Sequence, residues 1–234
     1  MRIRETIVAA GFSIFSTALL APGEASAQTV KPIAPRDATW STLSDVTMVL
    51  NAGVVTLMPR VYYNDPEATV GWKARWHFSV LAPALSMTAL ALLVDGPIRN
   101  GIQSPRPGCN ATQTAAALPG SQCDSYGMPS THSFAAWGST GAGTAVFLID
   151  TFKFSGSRFN AGGFVGNVAV PLVLSVLTSV GRGVATAPNT FPTESAPQVV
   201  VGTLSGFVTG ALLGLGYSLM QHPNCGYGGN VFCW

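Results

Sequence analysis

The chain has 234 residues, a formal net charge of +2, and only 9% charged residues against 47% hydrophobic ones. Soluble globular domains carry roughly 25% charged residues, so this composition excludes an ordinary water-solvated surface and points to a bilayer or an unusually buried helical bundle. With so small a net charge, no basic run and no aromatic ladder, nucleic acid is excluded as a partner.

The N-terminus reads as an export signal. Arg2 and Arg4 precede a mostly apolar stretch from Thr6 to Leu20, and Ala25-Ser26-Ala27 offers small residues where a signal peptidase cuts, with Gln28 following. The alternative is an uncleaved anchor helix. The expected organisation is a signal peptide over 1–27, an extended segment over 28–40, one helical domain over 41–220, and a Cys-containing tail over 221–234.

Five apolar segments follow: Thr42–Met58, Phe78–Val94, Ser133–Ile149, Phe164–Val180 and Val199–Met220. None alternates with period two, all are long enough for helices, and Pro- and Gly-rich loops separate them. The expected class is all-α, a membrane-embedded bundle of about five to six helices. Phe78–Val94 and Val199–Met220 are the stronger spans. Asp45 and Asn51 interrupt the first segment, and Asn167 and Pro171 the fourth. In the last, Gly202, Gly206, Gly210 and Gly214 form one stripe on a helix, a pattern that lets another backbone approach closely.

Arg60, Lys73 and Arg75 lie between the first two segments, and Lys153 and Arg158 between the third and fourth. Positive loops favour the cytoplasmic side. The loops Arg99–Ser130 and Arg182–Gln198 then face the opposite side, the periplasm of a bacterial-type cell. Cys109 and Cys123 lie in one such loop, while Cys225 and Cys233 lie in the tail. Export permits disulfides, and four cysteines allow three connectivities. Local pairing within each cluster is the cheapest, and Cys109 with Cys123 is the pair expected in the outer loop. No Cys/His spacing suggests a metal site.

Three clusters carry chemistry. Arg99-Asn-Gly-Ile-Gln-Ser-Pro-Arg106-Pro107 follows the second segment, Tyr126-Gly-Met-Pro129-Ser130-Thr131-His132-Ser133 opens the third, and Gly181-Arg182 closes the fourth. Guanidinium groups present planar donor forks that match phosphate oxygens. Ser130 and Thr131 precede a helical segment whose free N–H groups can cradle an anion. His132 can protonate a leaving oxygen near neutral pH. Singly, each has a bland alternative: loop charges, a helix cap, a structural histidine.

Together, in this order and spacing, the clusters resemble the type 2 phosphatidic acid phosphatase and vanadium haloperoxidase superfamily, over roughly residues 40 to 220. Arg99, six residues, Arg106-Pro107 is similar to its first motif, with Arg in place of Lys. Pro129-Ser130-Thr131-His132 is similar to its Pro-Ser-Gly-His motif, and the longer string from Tyr126 looks like that of lipid phosphatases acting on sphingoid-base phosphates. The resemblance implies phosphate binding by Arg99, Arg106, Ser130, Thr131 and Arg182, no cofactor, and a phosphorylated lipid or small phosphoester as partner at the periplasmic face.

The family's third motif is Ser-Arg, five residues, His, three residues, Asp, where the His is the nucleophile or vanadate ligand. Here Arg182 supplies the Arg, but no histidine follows until His222. In one alignment Thr190-Phe-Pro-Thr-Glu194 stands where the family has its His-aromatic-Pro-Thr-Asp run. In the other, Glu194 takes the place of the His and Gln198 that of the Asp. Both leave the nucleophile position without imidazole. His132 and Glu194 are therefore the candidate catalytic pair, and haloperoxidase activity is the least favoured chemistry. Three readings follow: a phosphomonoesterase with a changed mechanism, a degenerate relative that binds phosphate or lipid headgroups without turnover, and a structural membrane protein.

Overall fold

A computed structural model describes residues 35–58, 60–62, 73–75, 78–117 and 123–220. The signal sequence, His77, His222, Cys225 and Cys233 fall outside them. Among the described residues the chain is all-α, with six helices: α1 (Ala38–Leu57), α2 (Phe78–Leu93), α3 (Ala111–Ala115), α4 (Thr131–Ile149), α5 (Val170–Gly183) and α6 (Ala196–Met220). α2 runs on through a π-helical turn, Val94–Ile98, into Arg99–Ile102. Ahead of α5, Ala161–Phe164 leads through a second π-helical turn, Val165–Ala169. One departure from the expected pattern is a short antiparallel ribbon, Arg60–Tyr62 against Lys73–Arg75, with Val61 opposite Ala74. Three residues per strand are too few for an alternation to be legible in the sequence. α1 begins ahead of residue 41 because Asp37 caps it, accepting from the N–H groups of Thr39 and Trp40.

Chain direction places the outer loops together. α1, α4 and α6 start at one end of the bundle, and α2 and α5 finish there. α6 lies along α4 in parallel, in a register set by the glycine stripe. A Cβ on Gly202 would lie 2.4 Å from the carbonyl oxygen of Ser130, on Gly206 2.3 Å from that of Phe134, on Gly210 1.8 Å from that of Gly138, and on Gly214 2.5 Å from that of Ala142. Each is far inside van der Waals contact, so the two backbones meet only because these positions have no side chain.

The bundle is small and polar inside, apolar outside. Asn51, Thr140, Ser175 and Thr178 are buried, while Leu57, Leu85, Leu92, Val173 and Leu204 are exposed. Asn51 donates to the carbonyl of Ala136 and to Ser175 Oγ, both at 2.8 Å, and Thr47 meets Thr178 at 2.9 Å, stitching α1 to α4 and α5. The apolar core proper is a small cluster of Met87, Val94 and Phe134. An apolar exterior suits lipid, where helix contacts come from close packing and hydrogen bonds instead of the hydrophobic effect. Among the described residues, three helical stretches are long and apolar enough to cross a membrane: Leu81–Ile102, Ala161–Gly183 and Ala196–Met220. The second includes Asn167 and Pro171, which interrupt its apolar run. Asn167 satisfies its own amide on the carbonyl of Gly163, one turn back, and Pro171 sits in the first turn of α5, just after the π-helical turn.

Candidate functional site

The end of the bundle where α4 and α6 start holds the candidate phosphate-binding residues Arg99, Arg106, Ser130, Thr131 and Arg182 and the candidate catalytic residues His132 and Glu194. α2 delivers Arg99 at its final turn, buried, with its guanidinium donating to Asp95, to the Tyr126 carbonyl and, at 3.1 Å, to Thr131 Oγ1. Thr131 in turn donates to Asp95 at 3.0 Å. Ser130 is fully buried and caps α4, accepting from Ser133 N at 3.2 Å, while its own N–H donates to the Gln198 carbonyl at 3.0 Å. Both hydroxyls read as phosphate ligands are thus engaged within the protein; what they contribute directly is the position of the α4 N-terminus.

Arg182 ends α5. Gly181 lets α1 come close there, since a Cβ would stand 2.7 Å from the Trp40 carbonyl. Arg182 pairs with Asp45 of α1. The same carboxylate oxygen lies 3.0 Å from His132 Nε2. Burial, then the charges of Arg182, Arg106 and Arg99, pull the His132 imidazole down to about 3. Asp45 does not reverse this, because Arg182 already compensates its charge and because the carboxylate is half exposed. His132 is therefore a neutral imidazole giving its Nε2 proton to Asp45.

Arg106 is held in the loop after α2. Gln198 clamps that loop to the start of α6: its amide donates to the Pro105 carbonyl at 2.8 Å and to Ser104 Oγ at 3.1 Å, and its oxygen accepts from Ser195 N at 2.8 Å. A Cβ on Gly127 would fall 2.5 Å from this amide, so a side chain there would displace the Gln198 clamp. The Cys109–Cys123 disulfide ties down the far side of the loop, with a Cα–Cα distance of 5.8 Å, and Cys109 N donates to the Arg106 carbonyl at 3.0 Å. Burial lowers Arg106 to about 10; Glu194 opposes the shift and the charges of Arg99, Arg36 and Arg182 add to it.

Glu194 is tied to the end of α5. Its N–H donates to the Arg182 carbonyl at 2.9 Å, and its side chain is wholly buried with neither carboxylate oxygen hydrogen-bonded. Its charge acts on Arg36, Arg106 and Arg182. The Nε atoms of Arg99, Arg106 and Arg182 are likewise buried without a hydrogen-bond partner. A buried carboxylate thus lies within electrostatic reach of Arg36, Arg106 and Arg182 with no hydrogen bond to its oxygens, an arrangement that costs free energy unless a polar group supplies one. Thr190, the rival for the nucleophile position, is half-buried and donates to the Ala187 carbonyl of its own loop. Gln198 does not hold Glu194, so the orienting role that the second alignment implied for it is replaced by the loop clamp.

Three residues join the site that sequence reasoning did not single out as functional. Arg36 is placed by a backbone bridge to Phe191, with Asp37 N donating to the Phe191 carbonyl at 3.2 Å and Phe191 N to that of Pro35 at 3.0 Å. No local signal marks it. Asp45 and Asp95 did carry signals: a lone carboxylate inside an apolar segment, which in membrane helices marks a paired, functional position, and an acid one turn ahead of Arg99.

Comparison with protein-family models, with curated proteins and with solved structures returned no match.

Proposed function

We propose that this end of the bundle binds the phosphate of a phosphomonoester or pyrophosphate, a lipid phosphate foremost, and hydrolyses it at the periplasmic face. The observation that carries the reading is the mutual electrostatic proximity of Arg36, Arg99, Arg106 and Arg182, with Glu194 acting on Arg36, Arg106 and Arg182, and with Arg182, Arg106 and Arg99 acting on His132. A bound dianion relieves the mutual repulsion of desolvated cations, and three unpartnered Nε donors await acceptors. Arg99 and Arg182 sit at the ends of two helical stretches long and apolar enough to cross a membrane, which suits a substrate anchored in the bilayer, and the motif resemblance names the same chemistry.

The reaction follows from the side chains present. Glu194 accepts a proton from water as the water oxygen bonds to phosphorus. The bond from phosphorus to the alcohol oxygen breaks, and His132, protonated once the dianion is bound, gives its proton to that oxygen. The proton left on Glu194 passes to solvent and His132 takes one back from solvent, so that the protein is restored and the net change is water and ester to alcohol and hydrogenphosphate. A second reading, binding without turnover, is favoured by one observation: the Gln198 amide is committed to Ser104 and Pro105 and leaves Glu194 without an orienting partner. Phosphate release by the purified full chain, in detergent, from a panel of lipid phosphates separates the two. Release that disappears in Glu194→Gln and His132→Asn supports hydrolysis; binding without release supports the second reading; neither binding nor release overturns both.

A further inference from the structure

We infer that Glu194 makes this site selective for oxyanions that carry a proton, so that hydrogenphosphate is bound in strong preference to sulfate. The inference rests on the phosphate-binding reading above and specifies its ligand. Glu194 is completely buried and both its oxygens lack a donor, while the Nε groups of Arg106 and Arg182, on which its charge acts, lack an acceptor. A ligand completing this set must present acceptors to the guanidiniums and at least one donor to the carboxylate. Hydrogenphosphate has both, through its three unprotonated oxygens and its single P–OH. Sulfate is a similar tetrahedral dianion at neutral pH, but it has no proton to give. It would set an oxygen lone pair against a buried carboxylate and leave that carboxylate unpaired, and a buried charge without a partner is strongly disfavoured.

The same requirement runs through the proposed reaction. In the ester complex the donor to Glu194 is the attacking water. After hydrolysis that oxygen belongs to the phosphate, and its remaining hydrogen is the P–OH that still faces Glu194. One acceptor therefore serves both the attacking and the departing species. A site built from arginines alone lacks this discrimination, because guanidinium forks accept phosphate and sulfate alike.

Equilibrium titration of the purified full chain in detergent at pH 8 with sodium phosphate and, separately, sodium sulfate tests the inference. Phosphate should bind at least about tenfold more tightly, the scale of one hydrogen bond to a charged group. Glu194→Gln should shrink the ratio towards one, because a neutral amide can donate to either anion. Equal affinities in the unaltered chain would overturn the selectivity while leaving the phosphate-binding reading intact. Binding of neither anion would overturn both. A preference that persists undiminished in Glu194→Gln would remove Glu194 as its source.

Discussion

His132 and Arg182 share one carboxylate oxygen, Oδ1 of Asp45, with the imidazole Nε2 at 3.0 Å. Asp45 thus engages both a guanidinium proposed to bind phosphate and the candidate general acid. It competes with a ligand for Arg182, and it keeps the His132 proton on the nitrogen facing α1.

Asp45→Asn should therefore tighten phosphate binding. The gain should be roughly two- to fivefold, the scale of one exposed ion pair. Calorimetric titration checks this, and weaker binding by the variant would show that Asp45 organises the site instead of competing for it.

Acid should destabilise the unliganded protein through His132. The imidazole is held at about 3 in the folded chain against an ordinary value of 6.5. Above 6.5 both folded and unfolded chains carry it neutral, and its contribution is constant. As pH falls below 6.5 the unfolded chain takes up a proton that the folded chain refuses, so stability declines progressively towards pH 3. In thermal melts between pH 7 and pH 4, His132→Gln should show a shallower decline than the parent. Parallel curves would mean that His132 titrates normally.

The α4–α6 contact should tolerate no side chain at Gly210. A Cβ there would lie 1.8 Å from the Gly138 carbonyl, backbone against backbone. Gly210→Ala should cost about 1–3 kcal/mol or more and disturb the Ser130–Gln198 link at the head of the pair. Gly216 has nothing within 4 Å of its Cβ position, so Gly216→Ala should be neutral or stabilising by up to about 1 kcal/mol. Melting temperatures of the two variants in the same detergent decide it.

Most of the helical frame was legible because apolar run length and Pro/Gly punctuation are local signals. Phe78, Ile149 and Met220 fall at element ends in both sequence and structure. The glycine stripe announced a close backbone contact, though not its partner, since the register with Ser130, Phe134, Gly138 and Ala142 exists only in three dimensions. The site was legible as a set of residue types, but its connections were not. Asp45 reads as an interruption until Arg182, far along the chain, closes on it. Arg36 has no local mark and enters through a two-residue backbone pairing with Phe191. The ribbon at Arg60–Tyr62 is too short to show a period.

Reduction of the Cys109–Cys123 bond should loosen the loop that holds Arg106. Thirteen residues lie between the two cysteines, and closing such a loop contributes about 3 kcal/mol in the chain-entropy model. Cys109→Ser with Cys123→Ser should lower the melting temperature and weaken phosphate binding together, because Cys109 N donates to the Arg106 carbonyl. Loss of stability with unchanged affinity would separate the disulfide from the site.

The central claim is that the arginine-lined end of the bundle is a phosphate site. Isothermal titration of inorganic phosphate into the purified full chain in detergent, beside Arg106→Ala, tests it most directly. Removing one charge-assisted donor should weaken a saturable interaction by roughly ten- to a hundredfold. The account predicts saturable binding at one phosphate per chain and that loss in the variant; an absence of saturable binding in the unaltered chain, or equal affinity in the variant, would contradict it.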